Sequence, residues 1–421
     1  MDFLRHMNMK TAIIGAGPAG LMAAIEAAAT GSRVVVYEKL ARPGLKLLAS
    51  GGGKCNISNV LKPEEFCKYF GRHGRFAIPA LELFPPEKLR LFLEQHGVKT
   101  EITDGFHIFP VSRKASDVLN ALLTECRRLN VEFMYGVEVK SVETEAGHVS
   151  EIVSSAGHVS VQKLIIASGG MGYPELGGGP SGYKLAADTG HRIEKPLPAM
   201  AGLTCSDAWV KECPGISFQD ASVILDLPKF RKKPSHGELL FTHSGISGPA
   251  VIDFAGDVSE LLEKHGKIPF RINLFAGKNV EEWLDCFNLW QKDSGKKLVR
   301  KLLSQQVPAK VAEALCSLAG IGEDLAAAKF DADGRKRLSG LLTSLPLEID
   351  GAESWKKAMV TRGGVSLKDV DPHTLESRIV KGLFFAGEVL DVDGPCGGFN
   401  LQWAFSSGFL AAQPGSISRS L

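Results

Sequence analysis

The chain has 421 residues, with 49 Lys+Arg against 47 Asp+Glu, so its formal net charge is +2. That length holds two or three domains, and 44% apolar with 23% charged residues is a globular composition, not a disordered one. No run of about 18 apolar residues is present, so no membrane partner is expected, and the near-neutral balance leaves nucleic acid without a global basic field to attract it.

The eight cysteines are scattered singly, with no Cys-x-x-Cys pair and no Cys/His cluster at zinc spacing. Reduced thiols and no metal are therefore expected. Met1 to Lys10 lacks the apolar core of a signal peptide, which leads to an expected cytoplasmic location.

In chain order, Thr11-Ala12-Ile13-Ile14 predicts a buried parallel strand that runs into Gly15-Ala16-Gly17-Pro18-Ala19-Gly20. An alanine-rich helix follows from Leu21 to Ala29, closed by Gly31, then a second strand, Val34 to Tyr37, ends on Glu38. This is the βαβ unit of a dinucleotide site. Gly15 permits the tight turn, Gly17 lets a pyrophosphate approach the backbone, and Gly20 lets helix and strand pack closely. Glu38 can accept hydrogen bonds from ribose hydroxyls and disfavours a 2′-phosphate. Its change to Ala is expected to weaken nucleotide retention while sparing the fold.

Residues 41–59 form a basic, glycine-rich loop; 86–96 and 115–129 read as helices, and Glu101 to Pro110 as a hairpin around Asp104-Gly105. Residues 131–168 carry strand character, with the pentapeptide Ala-Gly-His-Val-Ser at 146–150 and again at 156–160, a meander with like turns. Leu164 to Ile166 is another apolar strand running into Ala167-Ser168-Gly169-Gly170. Gly177 to Gly182 repeats the dinucleotide spacing without an abutting strand and reads as a loop.

Pro196 and Pro198 mark a boundary, after which short strands alternate with turns up to Gly277. Residues 279–343 read as helical, with Trp283, Phe287, Leu298 and Leu302 at core spacing and a break at Asp331 to Gly334. Strand character returns at Leu345 to Ile349, and Gly382 to Glu388 is a last strand before a glycine turn and a helix from about Asn400 to Ala411. The expected architecture is α/β: a Rossmann-like dinucleotide-binding domain at 1–196 and 359–421, interrupted by a small β domain at 197–277 and 345–358 and a helical segment at 278–344.

The glycine elements separate FAD from NAD as the resident nucleotide. A simple NAD domain would continue with βα units after Glu38; here Lys46 and Ser50 to Asn56 follow, able to wrap a longer ligand. Ala167, Ser168 and Gly169 end a second strand, and Gly387-Glu388 can place a carboxylate on a ribityl chain. A helix starting near Gly397-Gly398 would aim its amides at the flavin edge where reduction builds negative charge. Glycine elements far apart in sequence and converging on one extended ligand favour non-covalent FAD.

Residues 10–38, Lys46 to Asn56, Phe241 to Pro249, Thr361 to Val365 and Gly387 to Gly408 together resemble the BaiN-type family of bacterial NAD(P)/FAD-dependent oxidoreductases. The likeness implies a glutathione-reductase-type FAD domain with an inserted barrel and helical subdomain. By position it implies that Gly15, Gly17, Ala19, Glu38 and Lys39 hold the ADP half and that Val137 meets adenine through its backbone. It further implies Lys46, Ser50, Gly51, Gly52, Cys55 and Asn56 along the pyrophosphate-to-flavin stretch, and Gly387, Glu388, Gly398, Asn400 and Leu401 at the ribityl and pyrimidine end. Where members often carry Arg and Thr, this chain has Lys54 and Cys396. Substrates in the family are mostly unassigned, a bile-acid enone reductase being among the few suggested activities.

Three residues are candidates for chemistry beside the flavin. His243, in a Ser/Gly-rich loop, is a proton donor or a loop-stabilising histidine. Arg362 stabilises reduced-flavin charge, binds an acidic substrate or forms a structural salt bridge. Cys396 forms a redox pair with Cys55, or both are small packing residues. Phe106 to Pro110 reads as a buried strand, and Arg231-Lys232-Lys233 as a solvated loop. The expected function is hydride transfer from NAD(P)H, bound transiently, through flavin N5 to an activated C=C or related small-molecule acceptor. Two rivals stand beside it: a flavin-containing RNA-modifying protein and a non-catalytic FAD-binding redox sensor. Oligomeric state has no sequence signal.

Overall fold

The computed structural model describes residues 10–231 and 234–413. The chain divides into two compact units, residues 1–197 with 358–421, and residues 198–357.

The first unit opens with β1 (Lys10–Ile14) and β2 (Arg33–Glu38), joined by the helix Pro18–Ala29, and continues through β3 (Ser58–Asn59), β4 (Thr100–Thr103), β5 (His107–Pro110) and β6 (Glu132–Tyr135). A meander of β7 (Val139–Glu145), β8 (His148–Ser154) and β9 (Gly157–Ser160) precedes β10 (Lys163–Ile166). Then come β11 (Ile193–Ala199) and, in the second unit, β12 (Leu203–Cys205), β13 (Ser217–Leu225), β14 (Ser235–Phe241), β15 (Gly245–Ser247), β16 (Ile268–Asn273) and β17 (Leu345–Ala352). The chain returns through β18 (Val360–Val365) and β19 (Leu383–Phe385) to the helix Phe399–Ala412.

Five parallel strands in the order β19-β10-β1-β2-β6 form the central sheet. In β1, β2, β10 and β19 the apolar runs are covered on both faces, Ile13, Val36, Ile165 and Phe384 having no exposed surface, whereas the edge strand β6 is mostly exposed. Strand order reverses between β1 and β10. The carboxyl ends on either side of that switch are where open α/β sheets bind ligands. The helices Pro18–Ala29 and Phe399–Ala412 pack so closely that a Cβ on Gly408 would lie 2.2 Å from the Ala19 carbonyl oxygen.

Both copies of Ala-Gly-His-Val-Ser turn hairpins of the antiparallel meander. Ala146-Gly147, both with positive φ, join β7 to β8, and Ala156-Gly157 join β8 to β9. In the same unit β3, β5 and β4 form a separate three-stranded sheet built on the Asp104-Gly105 hairpin.

In the second unit β12-β15-β14-β13-β16-β17 close into a six-stranded barrel. Inward positions alternate along β17, where Leu345, Leu347 and Ile349 are buried and their neighbours exposed. The segment between β16 and β17 is helical, Val280–Ser294 and Ala332–Thr343 being its longest helices. Trp283, Phe287 and Leu302 are buried, whereas Leu298 is half-buried and bridges to Ala326. Asp331, in the expected break, caps the second helix by accepting the Gly334 N–H at 2.7 Å. Of the basic run, Arg231 pairs with Asp226, and Lys232 and Lys233 lie outside the described residues. No helix among the described residues is long and apolar enough to cross a membrane, and none of them form a group of three or more metal-ligating side chains.

Candidate functional site

The site begins at the glycine turn after β1. Gly15 has φ +102°, and a Cβ there would strike the Ala167 carbonyl oxygen at 2.5 Å, so the ends of β1 and β10 touch through this glycine. A Cβ on Gly20 would sit 1.9 Å from the Gly15 oxygen, which is the close helix–strand approach expected of the third glycine. Gly17 is different. It caps the helix Pro18–Ala29 in extended conformation, and a Cβ there would meet nothing within 4 Å. Its crowded neighbours hold the turn while Gly17 faces open space at a helix N-terminus, the shape and charge a pyrophosphate needs. Ala19 points the other way, packed between Gly387 and Gly408.

Glu38, at the end of β2, is buried, and both carboxylate oxygens already accept backbone N–H groups: Ala16 at 2.8 Å and Leu40 at 2.9 Å. Each oxygen keeps a lone pair for a ribose hydroxyl, but the side chain also braces the glycine turn. Glu38→Ala would therefore leave two amides unpaired, and the expectation that it spares the fold is corrected. The Val137 N–H is committed to the Glu38 carbonyl at 3.1 Å, which sets Val137 beside the same strand end.

The loop after β2 approaches a distant part of the chain. Lys46 Nζ lies 2.6 Å from Glu388 Oε2, and the other Glu388 oxygen accepts the Thr361 N–H at 2.9 Å. Gly51, Gly52 and Gly53 all have positive φ, and Gly52 borders open space. Ser50 donates to the Leu47 carbonyl at 2.6 Å and its own carbonyl accepts the Cys55 N–H at 3.0 Å. Oriented by its neighbours, the Asn56 amide donates to Ser58 and Ile108 carbonyls and accepts the Gly398 N–H at 3.1 Å. Asn59 donates to the Gly397 carbonyl at 2.9 Å.

These contacts correct the reading of Gly398, whose own amide is occupied. The helix Phe399–Ala412 that follows brings the positive end of its dipole to this strand edge. Gly398 is needed for packing, since with φ +83° a Cβ would meet the Ser58 carbonyl at 2.5 Å. Gly387 is likewise enclosed: its N–H donates to Ser407 and its carbonyl accepts Trp403 Nε1. The Asn400 side chain closes the preceding loop by bonding both the N–H and the carbonyl of Gly394. Leu401 is half-buried against the core.

Ala167 donates its N–H to Ile14, and Ser168 faces Gly182, whose would-be Cβ falls 1.8 Å from the hydroxyl oxygen. Gly169, with φ +73°, borders open space. The second glycine run does more than a loop. Gly182 lies in the helix Ser181–Asp188, and Gly179 would place a Cβ 3.4 Å from Lys39 Nζ, so the run lies beside the residues that follow β2.

The three chemical candidates divide between the two units, His243 in the second and Arg362 and Cys396 in the first. His243 is exposed at the β14–β15 turn of the barrel unit. Arg362 is bound through Nε and its terminal nitrogen to Asp393, 3.1–3.2 Å away, which is the structural salt bridge. Cys396 is exposed, whereas Cys55 is fully buried and burial pushes its thiol up to about 11. Both are free thiols. Sequence reasoning left unassigned Thr361, Asn59, Asp391, Asp393 and the segment Cys67–His73. Asp391 and Asp393 stand within the Gly387 to Gly408 stretch, but nothing local marks their partners.

The fold and this glycine-lined strand edge define a Rossmann-type dinucleotide-binding protein. The family model "HI0933-like protein Rossmann domain" matches residues 9–414, and the chain belongs to that family, within the Rossmann-fold FAD/NAD(P)-oxidoreductase superfamily. It is 32% identical over 410 residues to the ribosomal RNA dihydrouridine synthase of Escherichia coli, covering 95% of this chain and 96% of that protein. It is 31% identical over 404 residues to the 3-dehydro-bile acid delta(4,6)-reductase of Clostridium scindens, covering 95% and 97%. Among solved structures, an open conformation of a flavocytochrome c3 fumarate reductase matches with TM-score 0.52 at 15% identity, covering 97% of this chain and 78% of that one. That likeness speaks for the fold alone.

Proposed function

We propose that this protein is an FAD-dependent reductase of a carbon–carbon double bond activated by a conjugated carbonyl, with NAD(P)H as the transient reductant. One observation carries the reading: the open side of Gly17, the Lys46–Glu388 pair and the start of the helix Phe399–Ala412 belong to one compact unit, with elements drawn from both ends of the chain.

When bound, FAD supplies the two-electron chemistry, accepting and passing on a hydride. The protein supplies the rest. First-turn amides of the helix Pro18–Ala29 take the pyrophosphate, Glu38 takes the ribose, and Glu388, held by Lys46 and the Thr361 amide, is placed for the ribityl hydroxyls. The amino end of the helix Phe399–Ala412 favours negative charge on the ring. The narrower BaiN-type likeness fits this chemistry, since the C. scindens relative is named as a reductase of an unsaturated bile acid.

A second reading has its own support: ribosomal RNA dihydrouridine synthases of Escherichia coli and Haemophilus influenzae are 32% and 31% identical to the chain. Uracil also presents a double bond conjugated to a carbonyl, so both readings share one reaction and differ in what carries the double bond. Anaerobic reduction with NADH and NADPH, followed by reoxidation with an enone panel and with unmodified ribosomal RNA, tests both. Bleaching by either nicotinamide supports the shared chemistry, and the productive acceptor selects the substrate. Failure of both nicotinamides to bleach bound flavin sinks the reductant assignment. A flavin that is bleached but never reoxidised by either acceptor class favours the redox sensor.

A further inference from the structure

Three residues beyond Glu388, Asp391 is almost fully enclosed, with one oxygen accepting the Gly363 N–H at 3.0 Å and the other 3.5 Å from His73 Nε2. The same His73 nitrogen receives a hydrogen bond from Arg72 Nε at 2.9 Å. His73 Nε2 thus stands between a donor and a carboxylate: a neutral ring accepts from Arg72, and a protonated ring donates to Asp391. This segment is fastened to the start of the helix Phe399–Ala412. Tyr69 stacks on Phe399 at 4.5 Å, and Phe66 meets it edge-on at 4.7 Å. The loop from Asp391 to Gly398 is fixed by Arg362–Asp393 and by the Asn400 clasp on Gly394.

We propose that His73 and Asp391 share a proton beside the flavin site and that this pair supplies the proton needed to complete reduction of the double bond. The inference rests on the reductase reading above. Reduction of C=C adds a hydride to one carbon and a proton to the other. The hydride and its electron pair derive from NAD(P)H by way of the flavin. The proton leaves His73 as its N–H bond breaks and the new C–H bond forms, and the neutral imidazole is reprotonated from water through Asp391. The carboxyl is suited to relaying that proton, because burial raises it above its ordinary range, opposed by His73 and Arg72, while the neighbouring Asp393 raises it further. The other titratable group facing Asp391 is Tyr183, which burial keeps protonated.

The test uses FAD-loaded protein, wild type against His73→Gln and Asp391→Asn, each checked for native thermal unfolding. The midpoint potential of the bound flavin is measured against pH by dye-coupled reduction. A proton-sharing pair beside the ring bends that line where the pair takes up or releases its proton. The bend is expected in wild type, shifted in Asp391→Asn and absent in His73→Gln. In parallel, reoxidation of the reduced protein by 2-cyclohexenone is expected to slow about 100-fold in His73→Gln, while bleaching by the nicotinamide stays within about twofold. A wild-type line without a bend, or a bend that survives His73→Gln, overturns the pair. If the bend behaves as expected but wild-type protein ignores the enone, the pair stands and the substrate reading fails. A chain that takes up no FAD overturns both.

Discussion

Lys46 and Glu388 are 342 positions apart in sequence, and their side chains meet at 2.6 Å. Their contact closes the amino-terminal βαβ unit onto the last strand of the sheet. Each is roughly a fifth to a quarter exposed, so solvent screens the pair without cancelling it. A double-mutant cycle with Lys46→Met and Glu388→Gln on the FAD-free protein is expected to give a coupling of about 0.5–1 kcal/mol in urea unfolding. Additive single effects would show that the two side chains do not interact in solution.

Glu38 carries a structural load as well as a binding one. Removing its carboxylate orphans the buried N–H of Ala16, at about 1–3 kcal/mol, and the half-buried N–H of Leu40, at less. Glu38→Ala should therefore lower the melting temperature of the FAD-free protein, whereas Glu38→Gln, which keeps an acceptor, should lower it less. Equal melting temperatures for all three proteins would contradict the bracing role.

The thiols should separate cleanly by exposure. Iodoacetamide at pH 8 is expected to alkylate Cys396 well before Cys55, because burial holds the Cys55 thiol protonated, at about 11. Peptide mapping after brief labelling reads the order. Early modification of Cys55 would mean that its loop opens readily.

Lys163 is buried at the start of β10, with its ammonium 4.3 Å from the Phe384 ring and 3.2 Å from the Gln413 carbonyl. Burial lowers it to about 7, partly opposed by Glu376. The folded value lies below the unfolded one, so the unfolded chain holds this proton more tightly, and stability rises as pH climbs from about 7 toward 10.5. Lys163→Met should flatten that rise and stabilise the protein at and below neutral pH by up to a few kcal/mol. Chemical denaturation at several pH values measures it, and an unchanged slope would refute the assignment.

What the sequence made legible was local. The strand, glycine turn, helix and acid of residues 10–38 lie within one βαβ unit, so their spacing alone places them. The repeated Ala-Gly turns and the Asp104-Gly105 hairpin were readable for the same reason. The barrel was harder: β12 and β15 are three residues each, too short for an alternation to register, and closure depends on pairings between strands far apart. The Gly177 to Gly182 run has no strand of its own because its helix packs on the turn that leaves β10. Most of the site's connections escaped for a physical reason: Asn56 to Gly398, Lys46 to Glu388 and His73 to Asp391 are long-range contacts between segments without periodicity. Their residue types were visible, but their partners were not.

Flavin content decides the central claim most directly. Gly17 faces open space in an extended conformation that valine adopts without strain, so Gly17→Val should cost the FAD-free protein only the loss of a favourable helix cap, about 1 kcal/mol, while filling the place of the pyrophosphate. FAD released by denaturation, counted per chain after reconstitution, is the measurement. The account predicts near-stoichiometric FAD in wild type and little in the variant. A wild-type protein that releases no flavin, or a Gly17→Val protein that retains as much as wild type, would contradict it.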